Sequence, residues 1–207
     1  MNVLIALTMR VTDALDYSEA RDALAQDWSR FMLAALPEAG WVPLPNSQNQ
    51  AVRMAQQLGV NGLVLTGGNS WGVYPERDAT EESLFRWAMA NHYPVVGICR
   101  GAQVINRLLG GSIQLAADAA HVATRHPLRS TVSWVPDECN SFHRMVLTDE
   151  TLASGLECVA HAPDGTVEAF HLPGQRVAGI GWHPERETPF RLCDITFMRR
   201  FFLAEDI

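Results

Sequence analysis

The sequence predicts an α/β fold, an open and mostly parallel sheet with helices on both faces. Short continuous apolar runs, VLIALT (3–8), GLVLT (62–66) and PVVGIC (94–99), are typical of strands buried on both faces. Helical patterns separate these runs, which implies crossover connections between parallel strands. After Gly111 the segments shorten, and the Asp164-Gly165 pair indicates a hairpin. We therefore expect a small antiparallel strand region in the C-terminal half.

The individual elements follow from periodicity and from turn residues. Apolar residues recur at three- and four-residue steps from Ser18 to Leu36, which predicts the first helix. Gly110 and Gly111 end the helix that starts after PVVGIC. The other predicted helices span 47–58, 81–90, 101–109 and 190–203, the other predicted strands 41–44, 131–136, 156–173 and 176–184, and the longest loops 67–78 and 116–127.

Composition indicates one soluble globular domain spanning residues 1–207. The chain has 207 residues, 47% of them hydrophobic and 19% charged, with a net charge of −7. The negative charge argues against binding to nucleic acid or to an anionic membrane. Four cysteines without a CxxC pair predict neither a disulfide scaffold nor a zinc module, and they suit a reducing cytoplasm. We expect no signal peptide and no membrane-spanning segment.

The stretch GICRG (97–101) places a lone cysteine between two glycines, where a predicted strand gives way to a predicted helix. This pattern is typical of a nucleophile elbow, in which small neighbours make room for a sharp turn. A thiol at a helix N-terminus is exposed to the positive end of the helix dipole, which favours the thiolate. Cys99 is therefore the candidate nucleophile, although a buried cysteine that only packs has the same local pattern.

A second motif, GIGWHPE (179–185), supplies a base and its orienting group. His183 and Glu185 are two residues apart at the end of an extended segment, so their side chains can lie on one side. The carboxylate can then orient and polarise the imidazole. Cys99, His183 and Glu185 thus match the roles of nucleophile, base and orienting acid in a catalytic triad.

The pairing of GICRGAQ with WHPE resembles the class I glutamine amidotransferase superfamily, and within it the free-standing γ-glutamyl hydrolases of the peptidase C26 type. The resemblance extends over nearly the whole chain. It implies a flavodoxin-like open sheet. It also implies that the cysteine attacks a γ-glutamyl amide to form a glutamyl thioester, from which water releases glutamate.

The same resemblance implies a set of substrate contacts. TGGN (66–69) matches the family's glycine loop, so the backbone N–H groups of Gly68 and Arg100 are candidates for stabilising the oxyanion. Gln103 has the spacing of a contact to the glutamyl group, and NSFH (140–143) resembles the segment that shapes the substrate pocket. The candidate oxyanion and substrate-binding residues are Gly67, Gly68, Asn69, Arg100, Gln103, Asn140, Ser141, Phe142 and His143.

Other segments narrow the expected substrate. HVATRHPLR (121–129) concentrates arginine and histidine in an acidic chain, and guanidinium groups suit phosphate oxygens. Three segments together resemble γ-glutamyl-CDP-amidate hydrolases: this one, the region around Arg21, and NSFH (140–143). Those enzymes release glutamate and cytidine diphosphoramidate for surface-polysaccharide modification. Arg21, Arg125 and His126 are candidate phosphate contacts, with an ordinary helix ion pair as the alternative role of Arg21.

Two positions depart from the pattern of related enzymes. Met145 stands where γ-glutamyl-γ-aminobutyrate hydrolases usually have glutamine, and Gly181 stands where many relatives have glutamine before the aromatic-His-Pro-Glu run. The leaving group is therefore open. Four alternative functions are also open: a glutaminase subunit that passes ammonia to a synthase, a γ-glutamyl-γ-aminobutyrate-type hydrolase, a non-catalytic relative, and a cysteine protease or redox sensor.

We expect a small-molecule γ-glutamyl substrate. The proposed thioester route needs no cofactor, and we expect no metal because the histidines of 121–129 lack partners at ligand spacing. The sequence leaves the oligomeric state open, with a homodimer as one option.

Overall fold

A computed structural model describes residues 3–117 and 120–204 of the protein. The helices in these ranges are α1 (Asp27–Ala35), α2 (Asn49–Leu58), α3 (Pro75–Ala90), α4 (Arg100–Leu108) and α5 (Leu192–Leu203), with a short 3-10 helix at Pro184–Arg186. The strands are β1 (Leu4–Thr8), β2 (Arg10–Asp13), β3 (Ala20–Ala23), β4 (Gly40–Leu44), β5 (Gly62–Leu65), β6 (Val95–Ile98), β7 (Gln114–Leu115), β8 (Val122–Pro127), β9 (Arg129–Ser130), β10 (Glu138–Phe142), β11 (Met145–Val146), β12 (Glu157–His161), β13 (Val167–Leu172) and β14 (Val177–Ile180).

An eight-stranded sheet in the order β4-β1-β5-β6-β14-β13-β12-β9 forms the centre of the fold. The first five strands are parallel to one another, and the last three continue the sheet antiparallel. Three two-stranded sheets, β10-β8, β11-β7 and β2-β3, lie outside it. The predicted α/β class, mostly parallel with a small antiparallel region, is confirmed.

Helices cover both faces of the sheet because successive residues of each strand point to opposite sides. Ile5 and Leu7 of β1 pack into a core with α1 and α5, and the intervening Ala6 packs into a second core with α2, α3 and α4. Both cores are closed to solvent. Continuous apolar runs are therefore the sequence pattern that this architecture requires. No helix in residues 3–117 or 120–204 has the length and apolar character needed to cross a membrane.

The first predicted helix was wrong in its N-terminal half. The helix begins at Asp27, and Ala20–Ala23 instead forms β3, which pairs with β2 and places Arg21 opposite Thr12. Only the part after Asp27 presents a buried face, made by Trp28, Phe31, Met32 and Ala35. Because residues 20–22 are exposed, they had no apolar face to bury as a helix.

The strand predicted at 131–136 was also wrong. Pairing stops after β9, and the chain turns through these residues. Trp134 and Val135 are adjacent and both buried, which a half-exposed strand does not allow, and the Trp134 ring stacks on Phe197 at 4.8 Å. The apolar residues that suggested a strand are buried from a turn instead.

The two long loops are shorter than predicted. α3 begins at Pro75, a residue suited to the first helical turn, so irregular chain after β5 ends at Tyr74. Val122–Pro127 forms β8, which pairs with β10, whereas residues 118 and 119 of the second predicted loop lie outside the described ranges. The hairpin turn at Asp164-Gly165 is confirmed, since Gly165 adopts φ +89° between β12 and β13.

Candidate active site

Cys99 occupies a sharp turn between β6 and α4. Its φ and ψ are 53° and −108°, a strained backbone conformation for a residue other than glycine. Its N–H donates to Ile180 O at 2.7 Å, which ties the turn to β14. A Cβ on Gly97 would lie 2.5 Å from the Gly101 carbonyl carbon, and a Cβ on Gly101 would overlap the Leu65 carbonyl oxygen. Both glycines are therefore required for the helix to start this close to the sheet.

His183 reaches Cys99 from the segment after β14. His183 is extended (φ −114°, ψ 90°), and Pro184 then begins the 3-10 helix that contains Glu185. The Nδ1 atom of His183 lies 2.7 Å from Glu185 Oε1, and both side chains are buried. The imidazole in turn interacts with the sulfur of Cys99. The structure thus brings the three predicted triad residues into one chain of contacts.

The electrostatics of this chain favour a charged pair. Burial alone would raise the pKa of Cys99, but the positive charge of His183 and its interaction with the sulfur, together with the Arg100 N–H, outweigh burial and lower the pKa. Burial alone would lower the pKa of His183, but the thiolate and Glu185 raise it. The arrangement therefore favours a thiolate beside an imidazolium, the reactive form of a cysteine nucleophile.

Asn140 of β10 holds the backbone of His183. Its Oδ1 accepts from His183 N–H at 2.9 Å, and its Nδ2 donates to His183 O at 2.8 Å and to Glu187 Oε1 at 2.7 Å. Asn140 was expected to contact substrate, but its amide is fully used inside the protein. Its observed position is that of a positioning residue for the imidazole.

The glycine loop after β5 is held from behind by Arg77. The guanidinium of this buried residue donates to the carbonyl oxygens of Thr66 (2.9 Å), Gly67 (3.0 Å) and Gly68 (2.8 Å). Since the C=O and N–H of a trans peptide point in opposite directions, the Gly68 N–H points away from Arg77. Gly68 also lines the cleft that contains Cys99. Arg77 was missed in the sequence because nothing in its local pattern links it to the loop.

Two other predicted contact residues use their side chains for structure. Asn69 Oδ1 accepts from Val11 N–H at 2.8 Å and from Arg77 at 3.0 Å, so the side chain anchors β2. The buried guanidinium of Arg100 pairs with Asp78 and Glu81. Only the backbone of Arg100 faces the cysteine sulfur.

An open cleft with about 670 Å³ of empty space adjoins Cys99. Gln103 lines it and donates to Met145 O at 2.9 Å, and Phe142 also lines it with its ring edge-on to His183 at 5.8 Å. Gly67 lies next to the imidazole, because a Cβ there would be 2.6 Å from His183 Cε1. Met145, where the chain departs from related hydrolases, also lines the cleft, and the wall residues that the sequence did not indicate are Ser70, Val122 and Arg144.

The remaining candidates lie away from this cleft. Ser141 is fully buried and donates to His121 O at 2.9 Å. Arg21 is half exposed on β3 and pairs with Glu19, and Arg125 pairs with Glu138 (3.0 Å) and with Glu187. His126 points inward, with Nε2 3.4 Å from Glu168 Oε1. None of the three candidate phosphate contacts, Arg21, Arg125 and His126, lines the cleft at Cys99.

A group of side chains suited to a metal lies behind the cleft. His121, His126 and Glu168 offer ligand atoms that all lie within 4.8 Å of one another. Sequence spacing did not reveal this group, because Glu168 comes from β13, far along the chain.

Comparison with known proteins agrees with this geometry. Residues 38–202 match the family model described as glutamine amidotransferase class-I. The chain is 29% identical over 206 residues to a γ-glutamyl-CDP-amidate hydrolase of Campylobacter jejuni, covering 97% of this chain and 98% of that protein. It is 30% identical over 158 residues to the glutamine amidotransferase-like protein YvdE of Lactococcus lactis, covering 61% and 66%.

The fold has a solved counterpart. A glutamine amidotransferase from Thermotoga maritima superimposes with a TM-score of 0.65 at 14% identity, covering 99% of this chain and 82% of that one. The family assignment and the hydrolase relative support an amide hydrolase. The chain belongs to the glutamine amidotransferase class-I family.

Proposed function

We propose that the protein hydrolyses a γ-glutamyl amide through a glutamyl thioester on Cys99 and releases glutamate, with γ-glutamyl-CDP-amidate as the substrate. The observation that carries this proposal is the buried chain of contacts from Cys99 through His183 to Glu185, at a strained strand-to-helix turn. Such a chain supplies both an activated nucleophile and a proton carrier. The second product would be cytidine diphosphoramidate, and the reaction would take place in the cytoplasm.

The chemistry follows from the positions of these groups. The thiolate of Cys99 attacks the γ-carbonyl carbon, and the carbonyl electron pair moves onto oxygen, where the N–H groups of Gly68 and Arg100 stabilise it. The tetrahedral intermediate then expels the nitrogen, which takes the proton held by His183. Water, deprotonated by His183, attacks the thioester carbon and releases glutamate and the thiolate. Glu185 keeps the imidazole in the required orientation throughout.

The substrate part of the proposal has two supports. The hydrolase relative matches this chain over nearly its full length. Arginine also surrounds the cleft in a chain of net charge −7: Arg144 lines it and makes no ion pair with any residue in the described ranges, and Arg186 lies over the Phe142 ring at 4.6 Å. Guanidinium groups at a cleft suit an anionic leaving group such as a nucleoside diphosphate.

Glutamate release from a panel of amides tests the proposal. The purified chain alone should release glutamate from γ-glutamyl-CDP-amidate faster than from glutamine or γ-glutamyl-γ-aminobutyrate. Cys99→Ala should abolish release with an unchanged circular dichroism spectrum, whereas Cys193→Ala, a half-buried cysteine of α5, should retain it. Turnover by Cys99→Ala would refute the nucleophile, and a preference for another amide would refute the substrate.

The class I family also includes amidotransferases, so a glutaminase subunit is the second candidate. It predicts negligible release by the isolated chain, free glutamine as substrate and copurification of a synthase. Arg144→Ala separates the two functions further. A diphosphate contact predicts a raised KM for the nucleotide substrate with little change for glutamine.

A further inference from the structure

Three histidines converge on one buried carboxylate next to the active-site cleft. His121 Nδ1, His126 Nε2 and His143 Nε2 lie 3.2, 3.4 and 3.4 Å from Glu168 Oε1. Glu168 is 1% exposed, and neither of its oxygens has a hydrogen-bond partner among the described residues. His143 Nε2 likewise lacks one. A buried carboxylate left in this state is costly unless a positive charge compensates it.

The ring nitrogen that points away from Glu168 determines the tautomer of each histidine. In all three histidines this nitrogen faces an oxygen that can only accept, so it carries the proton. In the neutral ring, the nitrogen facing Glu168 then presents a lone pair. In that tautomer none of the three nitrogens can donate to the carboxylate. The negative charge of Glu168 is then compensated either by a bound metal ion or by an added proton on one of the rings. The accepting oxygens are Asp164 Oδ2 for His121 (2.9 Å), Pro127 O for His126 (3.3 Å) and Met145 O for His143 (3.1 Å).

We propose that this cluster binds a zinc-class divalent transition-metal ion through His121 Nδ1, His126 Nε2 and Glu168 Oε1, whose ligand atoms lie within 4.8 Å of one another. Imidazole and carboxylate are ordinary zinc ligands, at roughly 2.0–2.2 Å from the metal. The corners of a tetrahedron with bonds of roughly 2.0–2.1 Å are about 3.3–3.4 Å apart. The distances from His121 Nδ1 and His126 Nε2 to Glu168 Oε1, 3.2 and 3.4 Å, match that edge.

The surroundings have the features of a supported metal site. Metal-bound histidines usually donate their other N–H to a carboxylate or carbonyl oxygen, which is the arrangement of all three rings. A Cβ on Gly181 would overlap Glu168 Oε2, so the glycine at this position makes room for the carboxylate. This accounts for the departure at Gly181 from the glutamine of many relatives.

The position of the site gives it a structural consequence. The ligands join the β8-β10 sheet to β13 of the central sheet, and β10 carries Asn140, which holds His183. His143 and Glu168 also line an inner pocket together with Cys99. Metal binding is therefore expected to stabilise the wall against which the nucleophile rests.

Protonation is the competing explanation, since one or more imidazolium groups could neutralise Glu168 without a metal. Direct metal analysis separates the two. The full-length protein is stripped by dialysis against EDTA, incubated with Zn²⁺ or Co²⁺ and desalted, and bound metal is counted by mass spectrometry. We expect one ion per chain, a higher melting temperature with Zn²⁺, and visible absorption of four-coordinate Co²⁺.

Asp164→Asn is the informative variant because Asp164 contacts His121 but is half exposed, so the fold should tolerate the change. Loss of such a supporting carboxylate predicts about 10- to 100-fold weaker Zn²⁺ binding. Glu168→Gln should abolish stoichiometric binding. The matched control is His161→Ala in the more exposed group of Asp149, Cys158 and His161, which offers similar ligand types and should leave stoichiometry unchanged.

Several outcomes would overturn the proposal. Wild-type protein that retains no ion and shows no Zn²⁺-dependent melting shift would identify imidazolium as the compensating charge. Loss of the ion in His161→Ala, with retention in Glu168→Gln, would identify an adventitious surface ion only. The wild-type Co²⁺ spectrum decides the question independently if a variant fails to fold.

Discussion

Replacing Arg100 by methionine should destabilise the protein far more than an equivalent change on the surface. Arg100 belongs to a group of four buried charges in which Asp78 and Glu81 pair with it, and Glu81 also pairs with Arg77 at 3.0 Å. Burial alone would raise the pKa of Glu81, but the charges of Arg100 and Arg77 outweigh it and hold the pKa below its ordinary value. The group therefore consists of two cations and two anions that neutralise each other.

The magnitude follows from the charge left behind. Arg100 and Glu81 have side chains only 4% and 0% exposed, so Arg100→Met leaves an uncompensated negative charge away from water. Removing one partner of a buried pair costs about 3–5 kcal/mol. Arg86→Met is the matched control, because Arg86 pairs with Glu82 on the same helix α3 but the two side chains are 68% and 40% exposed. Such a surface pair contributes at most a few tenths of a kcal/mol.

Urea unfolding followed by circular dichroism measures both free energies of unfolding. The two variants should differ by about 3 kcal/mol or more, in line with the cost of an unpaired buried charge. Adding Asp78→Asn to Arg100→Met should recover part of the loss, since it removes one of the unpaired carboxylates. Equal decreases in the free energy of unfolding for Arg100→Met and Arg86→Met would refute the argument that burial makes the Arg100 ion pairs important for stability.

Three further predictions concern packing and protonation. Gly181→Ala should lower the free energy of unfolding by about 1–3 kcal/mol in urea titrations, because its Cβ would overlap Glu168 Oε2; an unchanged midpoint would contradict this. The pKa of Cys99 is lowered because the effect of His183 outweighs that of burial, so iodoacetamide should alkylate Cys99 at a lower pH than an ordinary thiol. His183→Ala should shift the pH profile of alkylation to higher pH. Coincident profiles for the two proteins would disprove the pairing. Burial raises the pKa of Asp194 to about 7, so its stabilising contribution is complete below the unfolded pKa and is lost as pH rises through about 7. Asp194→Asn should therefore gain stability relative to the wild type by about 3 kcal/mol between pH 5 and pH 7 and keep that gain up to pH 9. A difference in unfolding free energy that does not change with pH would rule this out.

The chemical centre could be predicted because its geometry is local in sequence. The elbow needs a strand, a cysteine and two glycines within five residues, and the clash positions of Gly97 and Gly101 show why no other residue fits there. His183 and Glu185 are likewise separated by a single proline, and their contact follows from that short connection. Short-range constraints of this kind are visible in a single sequence.

The support of that centre could not be predicted because it depends on residues far apart in the chain. Arg77 reaches the loop at Gly68 from the following helix, and Asn140 reaches His183 across 43 positions. The β2-β3 hairpin was missed because its exposed residues carry no apolar pattern to distinguish strand from helix. The roles of Arg77 and Asn140 depend on tertiary contacts, which the local sequence pattern does not contain, whereas at β2-β3 the local pattern itself was uninformative.

The residues that are close together in sequence carry out the proposed chemistry, whereas residues from distant parts of the chain form the wall that we expect to select the substrate. The nucleophile lies at the carboxyl end of a parallel strand, where open α/β sheets place their sites. The wall facing it is built by residues 142–145 and by the antiparallel strand β13, which carries Glu168. This wall contains Met145 and adjoins Gly181, the two positions where the chain departs from related enzymes. Substitutions on the wall should therefore change which amide is cut, whereas substitutions at the elbow should change whether any amide is cut.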